Sequence, residues 1–219
     1  ARQQIPFEID EVVWDYQTIK EEYELGEEIE VGLFALKKER VNELMELLGP
    51  YVSNLRVIQD APLAVYNFLE YEGYGDEPLV VADVGAGTTD LIVFNPPRFW
   101  LRTVMVAGDD LTQVLMRKFD IHTAEAERVK RKAPTSEHRG RIMQMFAPVV
   151  DELTSEIQRS LGYYKSLARE ARFEKILAVG NSMRLDGLRD MLGKGLQYEV
   201  AGLEELRRIE LSDSVDAGQ

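Results

Sequence analysis

Apolar positions in the first fifty residues follow strand spacing twice and helix spacing once. The run Val12-Val13-Trp14-Asp15-Tyr16 and residues 30–36 predict two strands. Residues 20–28, which are rich in Glu, predict a solvated hairpin connection between them. From residue 37 to residue 48 the apolar side chains recur at helical spacing, and Gly49-Pro50 ends this predicted helix. The pattern therefore predicts a small β-β-α subdomain.

Short apolar runs then alternate with longer stretches of helical spacing. The predicted strands cover residues 55–58, 79–82, 91–94, 99–106, 175–179 and 196–200. The predicted helices cover residues 61–71, 123–132, 136–168 and 184–192, with a further helix that begins at Gly108. Residues 211–219 are polar, and we expect a poorly ordered tail there. Strands and helices that alternate on this scale indicate an α/β fold.

The turn at residues 83–90, with the sequence Asp-Val-Gly-Ala-Gly-Thr-Thr-Asp, is the most informative stretch of the chain. It joins two apolar runs and therefore predicts a hairpin. Gly85 and Gly87 allow positive φ and let the backbone N–H groups around Ala86 approach a ligand closely. Successive N–H groups that no side chain covers form a concave site that suits phosphate.

The polar residues of this turn also favour phosphate binding. Thr88 and Thr89 add hydroxyl donors. Asp83 and Asp90 stand at the two strand ends, where they are placed to hold a hydrated Mg²⁺ beside the phosphate. The alternative is an ordinary hairpin in which Gly, Thr and Asp serve as common turn formers. An Asp at each end and the paired threonines favour phosphate binding.

Composition and charge narrow the class of protein. The 219 residues suffice for one large domain or two small ones, and 45% hydrophobic with 30% charged residues is typical of a globular protein. The formal net charge of −13 argues against general affinity for nucleic acid. No apolar run approaches the ~20 residues of a membrane helix. The absence of cysteine and the wide separation of the two histidines disfavour disulfides and zinc, which fits a cytosolic protein.

The order of these motifs resembles the actin-like ATPase superfamily, which includes actin, heat-shock chaperones, sugar kinases and the cell-division protein FtsA. Residues 83–90 resemble its second phosphate motif, and residues 176–188 resemble its adenosine motif. Residues 59–66 resemble the connecting helix before the second lobe. The resemblance implies a ribonuclease H-like α/β fold that binds ATP and Mg²⁺ between two lobes. The nucleotide would contact the turn residues 85–89 and the segment Gly180-Asn181-Ser182.

Within this superfamily the chain resembles the PilM family of type IV pilus assembly proteins over nearly its whole length. The segments that carry this resemblance are residues 3–16, 107–112, 124–130 and 156–164. It implies a protein at the cytoplasmic face of the inner membrane that grips the N-terminal tail peptide of a PilN-like membrane protein and meets other inner-membrane components. Membrane contact would be indirect, and self-association is a further implication. Glu156 would contact the ribose, and Asp60 would position the attacking water.

The resemblance also implies a division of the chain. Residues 1–50 would be the inserted subdomain, residues 51–75 the connecting strand and helix of the first lobe, and residues 76–219 the second lobe. The first phosphate motif, expected before residue 1, and a closing helix after the adenosine motif are not in the sequence, so we expect a partial chain. Gly180-Asn181-Ser182 stands where the family usually has Gly-Gly, so Asn181 places a side chain where the adenine would lie against bare backbone.

Three functions are compatible with these sequence features. The first is a nucleotide-responsive scaffold, with at most slow ATPase activity, that binds a partner peptide. The second is an active ATPase or a small-molecule kinase, although no clear acceptor pocket is visible in the sequence. The third is an FtsA-like filament-forming protein, although residues 211–219 lack the amphipathic helix expected of FtsA.

Overall fold

The chain divides into two compact units, Ala1–Asp60 and Ala61–Gln219. The computed structural model describes residues 6–18, 29, 31–75, 77–95, 98–203 and 205–210. The connection predicted at residues 20–28 and the tail predicted at residues 211–219 lie outside the described residues.

The first unit contains the predicted β-β-α elements. Strand β1 (Val12–Thr18) pairs antiparallel with β2 (Val31–Lys37), and helix α1 (Lys38–Leu48) follows directly. A single turn of 3₁₀ helix precedes β1, and the Lys38 ammonium donates a hydrogen bond of 2.8 Å to the carbonyl oxygen of Asp10 in that turn. The start of α1 is thereby tied to the segment that leads into β1.

The strand predicted at residues 55–58 is wrong. Residues 54–60 have no regular secondary structure. Val57 is 73% exposed and Ile58 is 40% exposed, so this short apolar run has no buried face to stabilise a strand.

A five-stranded mixed sheet forms the centre of the second unit. Its strands are β3 (Leu79–Val84), β4 (Thr89–Asn95), β5 (Arg98–Val104), β6 (Lys175–Val179) and β7 (Glu199–Ala201). Their spatial order is β5-β4-β3-β6-β7. The first three are antiparallel neighbours, whereas β6 runs parallel to β3, and β7 runs parallel to β6. Since β3 and β6 are parallel, their carboxyl ends lie at the same edge of the sheet.

Within the described part of the second unit, five α-helices accompany this sheet. They are α2 (Ala61–Tyr71), α3 (Gly108–Phe119), α4 (Thr123–Lys132), α5 (Arg139–Leu167) and α6 (Leu188–Leu196). The first three confirm the sequence predictions closely. The helix predicted at residues 184–192 begins four residues later, because residues 181–184 form a 3₁₀ turn and Gly187 has a φ of 91° that precedes the helix.

The two faces of the sheet pack against different helices. Val80 belongs to a large apolar cluster that includes residues of α3, α4, α5 and α6. Leu79 and Val81 point the other way and share a smaller cluster with Leu69 of α2. The alternation continues to Asp83, so its side chain lies on the face of the sheet that packs against α2. Four of the six residues in β3 are apolar and at most 1% exposed, so the strand that carries Asp83 is rigidly held.

Residues 205–210 are fixed to the end of α2 by a buried carboxylate. Glu72 is 1% exposed and accepts hydrogen bonds from the backbone N–H groups of Arg207, Arg208 and Ile209. Burial alone would raise the pKa of Glu72, but these three hydrogen bonds and the charge of Arg208 bring its pKa below the ordinary value. The Tyr74 hydroxyl adds a hydrogen bond of 2.8 Å to the Glu205 carbonyl oxygen.

Candidate functional site

The turn between β3 and β4 presents backbone donors as predicted, but not through positive φ. Neither Gly85 nor Gly87 has a φ in the left-handed region, so that part of the prediction is wrong. The Gly85 N–H is used inside the turn, in a hydrogen bond of 3.0 Å to the carbonyl oxygen of Thr88. A Cβ on Gly85 would lie 3.0 Å from that same oxygen, which accounts for glycine at this position. The N–H groups of Ala86, Gly87 and Thr88 have no hydrogen-bond partner within the described part of the chain.

The start of α3 holds this turn in place. The N–H of Gly108 donates to the Gly85 carbonyl oxygen at 3.1 Å, and the N–H of Asp109 donates to the Ala86 carbonyl oxygen at 2.8 Å. The Asp110 carboxylate accepts a hydrogen bond of 2.9 Å from the N–H of Ala107, which completes the start of the helix. The first N–H groups of a helix have no partner within it, and at the start of α3 two of them, those of Gly108 and Asp109, bind carbonyl oxygens of the turn.

Asp83 and Asp90 form a like-charged pair across the hairpin. The two residues are directly opposite in the register of β3 and β4, so their side chains share one face of the sheet. Burial, followed by the charge of Asp90, raises the pKa of Asp83. The Thr103 hydroxyl donates a hydrogen bond of 2.6 Å to the Asp90 carboxylate. A half-buried carboxylate beside a second carboxylate is an environment that a cation stabilises.

The loop after β6 lies against the same turn. Gly180 has a φ of 93°, and a Cβ there would lie 2.5 Å from both the Asp83 Oδ1 atom and the Val84 carbonyl oxygen. The Ser182 hydroxyl donates a hydrogen bond of 2.7 Å to the Gly85 carbonyl oxygen. Asn181, between these two, has an exposed side chain. The two segments predicted to bind phosphate and adenosine are therefore in direct contact.

A cavity of about 1060 Å³ opens where these segments meet. Its described lining includes Asp83, Gly85 and Ala86 of the hairpin and the segment Gly180-Asn181-Ser182. Asp109, Leu111, Pro134, Arg184 and Leu185 complete it together with residues of α4. Its volume matches the upper end of the range for small-molecule sites in proteins.

Helix α4 supplies a wall of this cavity that sequence reasoning missed. Glu127, Lys130 and Arg131 line it. The Lys130 ammonium donates to Glu127 Oε1 at 2.6 Å, to the Thr112 hydroxyl at 2.7 Å and to the Gly108 carbonyl oxygen at 3.0 Å. All three of its donors are used, so Lys130 joins α4 to the start of α3.

Glu127 and Arg131 retain capacity for a ligand. Burial would raise the pKa of Glu127, but hydrogen bonds from Lys130 and Thr112 and the charges of Lys130 and Arg131 bring its pKa below the ordinary value. Its Oε2 atom lies 3.8 Å from the Arg131 Nε atom, and the Arg131 side chain is 81% exposed. The spacing Glu-x-x-Lys-Arg was visible in the sequence, because residues three and four apart share a helix face.

The remaining predicted site residues lie elsewhere. Gly87, Thr88 and Asp90 belong to the hairpin but are not among the described residues that line the cavity. Thr89 is fully buried and its hydroxyl donates to the Val106 carbonyl oxygen at 2.7 Å, so its predicted role as a hydroxyl donor to phosphate is corrected to that of an anchor. Glu156 lies on α5, outside this lining, and its carboxylate pairs with Arg159.

Asp60 is the last residue of the first unit, whereas the cavity is formed within the second. No group of three or more potential metal ligands from His, Cys, Asp and Glu is found among the described residues. Within the same residues, no helix is long and apolar enough to cross a membrane.

Solved structures with the same architecture define the class of protein. The chain is similar to the protein in a PilM-PilN type IV pilus biogenesis complex, with a TM-score of 0.77 and 27% identity over 92% of this chain and 59% of that chain. MreB 5 of Spiroplasma citri bound to AMPPNP matches with a TM-score of 0.57 and 14% identity over 78% of this chain and 61% of that one. Ethanolamine utilization protein EutJ from Carboxydothermus hydrogenoformans matches with a TM-score of 0.50 and 22% identity over 59% and 45% of the two chains. The fold is that of the actin-like ATPases, which confirms the predicted fold class.

The family of type IV pilus assembly protein PilM matches residues 1–219, which is the whole sequence. The chain belongs to the PilM family, and it spans 59% of the length of the similar chain in the PilM-PilN complex.

Proposed function

We propose that this chain is the greater part of a nucleotide-responsive scaffold in type IV pilus assembly. The single observation that carries nucleotide binding is the run of three backbone N–H groups, at residues 86–88, that have no partner among the described residues and lie beside a cavity of about 1060 Å³. Unpaired successive N–H groups suit the oxygens of a phosphate. Membership of the PilM family supports the role in pilus assembly.

The cavity offers a consistent placement for Mg²⁺ and ATP. The phosphates would lie on the turn, with Mg²⁺ neutralising the paired charges of Asp83 and Asp90. Gly180 and Asn181 would face the nucleoside, and Ser182 follows them in the same wall of the cavity. Glu127 Oε2 would accept a hydrogen bond from a sugar hydroxyl, a role that fits Glu127 better than Glu156 because only Glu127 lines the cavity.

The proposed partner is the cytoplasmic tail of a PilN-like membrane protein. The similar solved structure is a complex of PilM with PilN, which supports this class of partner. The protein would then be held at the inner face of the inner membrane through that partner and would contact other inner-membrane components of the pilus machine. Residues 1–50 would form the inserted subdomain of the family, residues 51–75 the connecting segment and helix of the first lobe, and residues 76–219 the second lobe.

Turnover would be slow in this proposal. Asp60 would position the attacking water, and the first phosphate motif would come from the longer protein. A fast ATPase of the same superfamily is the competing function, and phosphate release distinguishes the two. A scaffold releases little phosphate and couples the binding of nucleotide to that of the partner peptide.

Isothermal calorimetry on the full-length protein tests the proposal. Mg-ATP is titrated with and without a synthetic PilN-type tail peptide. Bound peptide should change the affinity for Mg-ATP, and bound Mg-ATP should change the affinity for the peptide by the same factor. Asp83→Ala should weaken Mg-ATP binding, whereas Asp151→Ala, which removes an exposed carboxylate from α5, should not. Equal affinities for the two variants would refute the assignment of the turn, and rapid phosphate release without peptide would favour the enzyme.

A further inference from the structure

The carbonyl oxygen of Gly85 is the point where three segments of the second unit meet. It accepts the Ser182 hydroxyl at 2.7 Å and the Gly108 N–H at 3.1 Å. The three residues are in close contact, because a Cβ on Gly108 would lie 2.3 Å from the Ser182 Oγ atom and 3.0 Å from the Gly85 carbonyl oxygen. The loop after β6 thus contacts the backbone of the phosphate turn through a side chain.

This contact determines which way one peptide group of the turn faces. The Gly85 carbonyl and the Ala86 N–H belong to the same peptide bond, and in a planar trans peptide they point in opposite directions. A donor that holds the carbonyl therefore directs the Ala86 N–H away from Ser182 and the start of α3. The hydrogen bond from Asp109 to the Ala86 carbonyl does the same for the N–H of Gly87.

Without such donors this peptide group would be free to turn over. Gly85 has no side chain to resist rotation of the bond, and Ala86 is exposed. A reversed peptide would present a carbonyl oxygen, in place of an N–H, to an anionic ligand, which would repel phosphate. The hydroxyl of Ser182 makes the shorter of the two hydrogen bonds that oppose this reversal.

We propose that Ser182 is a positioning residue that keeps the Gly85–Ala86 peptide oriented with its N–H available to a phosphate. This inference rests on the proposed function, because it assumes that the turn binds the phosphates of a nucleotide. It assigns Ser182 to the phosphate end of the ligand, although the residue stands in the segment that sequence reasoning assigned to adenosine. Ser182 acts through the turn and contributes no base recognition of its own.

The experiment compares ligands with and without phosphates on the full-length protein. Calorimetry measures Mg-ATP, ADP and adenosine binding to the wild type, Ser182→Ala and the matched control Ser160→Ala. Ser182 is partly buried and Ser160 is fully buried; the Ser160 hydroxyl donates to the Glu156 carbonyl at 2.6 Å within α5, and Ser160 is not among the described residues that line the cavity. Its variant therefore loses a comparable hydrogen bond without touching the site. Thermal unfolding confirms that both variants are folded.

Ser182→Ala should weaken ATP and ADP by about fivefold, the effect of one net hydrogen bond, while adenosine affinity stays at the wild-type value. Ser160→Ala should leave all three affinities unchanged. Equal ATP affinity in Ser182→Ala and wild type would overturn the inference alone. A loss shared equally by ATP and adenosine would also overturn it, since that result indicates direct contact with the nucleoside. A wild type that binds no nucleotide would overturn the proposed function, and the inference with it.

Discussion

Gly180→Ala tests whether the loop after β6 packs against Asp83 as closely as the structure shows. Gly180 has a φ of 93° and a ψ of 160°, a region that essentially only glycine occupies. The new methyl group would also lie 2.5 Å from the Asp83 Oδ1 atom and from the Val84 carbonyl oxygen. The Val84 oxygen belongs to a central strand and cannot easily move. The substitution therefore combines backbone strain with a steric clash.

The two effects have separate magnitudes. The unfavourable backbone region costs about 1–3 kcal/mol, and overpacking against fixed atoms adds about 1–3 kcal/mol, so the free energy of unfolding should fall by ~2–6 kcal/mol. Gly187→Ala isolates the first effect, because Gly187 also has a positive φ of 91° but its nearest atoms are the ends of the Arg139 and Met143 side chains at 3.4 Å. We expect a loss of about 1–2 kcal/mol there.

Urea unfolding followed by circular dichroism measures both losses, and an unchanged slope with denaturant shows that the two-state comparison is valid. Gly87→Ala is the neutral control, since a Cβ at Gly87 meets no atom within 4 Å and its φ is not in the left-handed region. The expected order of destabilisation is Gly180→Ala, then Gly187→Ala, then Gly87→Ala. Equal losses for the first two variants would refute the close contact of Gly180 with Asp83.

Three further predictions concern the site, the end of the chain and the core. Asp83→Asn should raise the urea midpoint at neutral pH, because burial raises the pKa of Asp83 and the wild type therefore loses stability as pH rises through that pKa. The difference between the variant and the wild type should vanish below pH 3.8, the ordinary pKa of this group. An unchanged midpoint at neutral pH would contradict a buried charge at Asp83. Glu72→Gln should accelerate hydrogen exchange of the backbone amides of residues 207–209. In the wild type, the stability that comes from the lowered pKa of Glu72 is present at neutral pH and is lost as pH falls through that pKa. Exchange that changes neither in the variant nor in the wild type at low pH would be evidence against the hydrogen bonds between Glu72 and these amides. Phe146→Ala should cost about 3–5 kcal/mol in urea unfolding, because its ring is fully buried, and a loss within ~0.5 kcal/mol would place the ring at the surface.

The hairpin and the loop after β6 could be predicted from sequence because both depend on local patterns. Apolar runs before Asp83 and before Gly180 identify β3 and β6 as buried strands. Once both are placed in parallel in one sheet, their carboxyl ends must meet at one edge, which is where ligands bind in open α/β sheets. The pairing of Val81 with Leu177 is what brings these two ends together.

The wall formed by α4 could not be predicted in the same way. Glu127 and Glu156 are both acidic residues on helices, and nothing local distinguishes which one faces the cavity. The difference arises from Lys130, whose contacts with Thr112 and Gly108 span 18 and 22 residues and fix α4 against the start of α3. Contacts of that span depend on how the helices pack, which helical spacing alone does not determine.

The role of the turn glycines also could not be predicted from the local sequence. Positive φ was the reason expected for Gly85, yet the structure favours glycine there because a Cβ would crowd the Thr88 carbonyl oxygen, while positive φ occurs instead at Gly180. The donors that orient the turn come from Gly108 and Ser182, which lie 23 and 97 residues further along the chain. An isolated hairpin with the sequence of residues 79–95 would therefore keep the glycines but lose the orientation of the Ala86 N–H. The proposed phosphate binding therefore depends on the contact between three segments, and the turn sequence alone is insufficient for it.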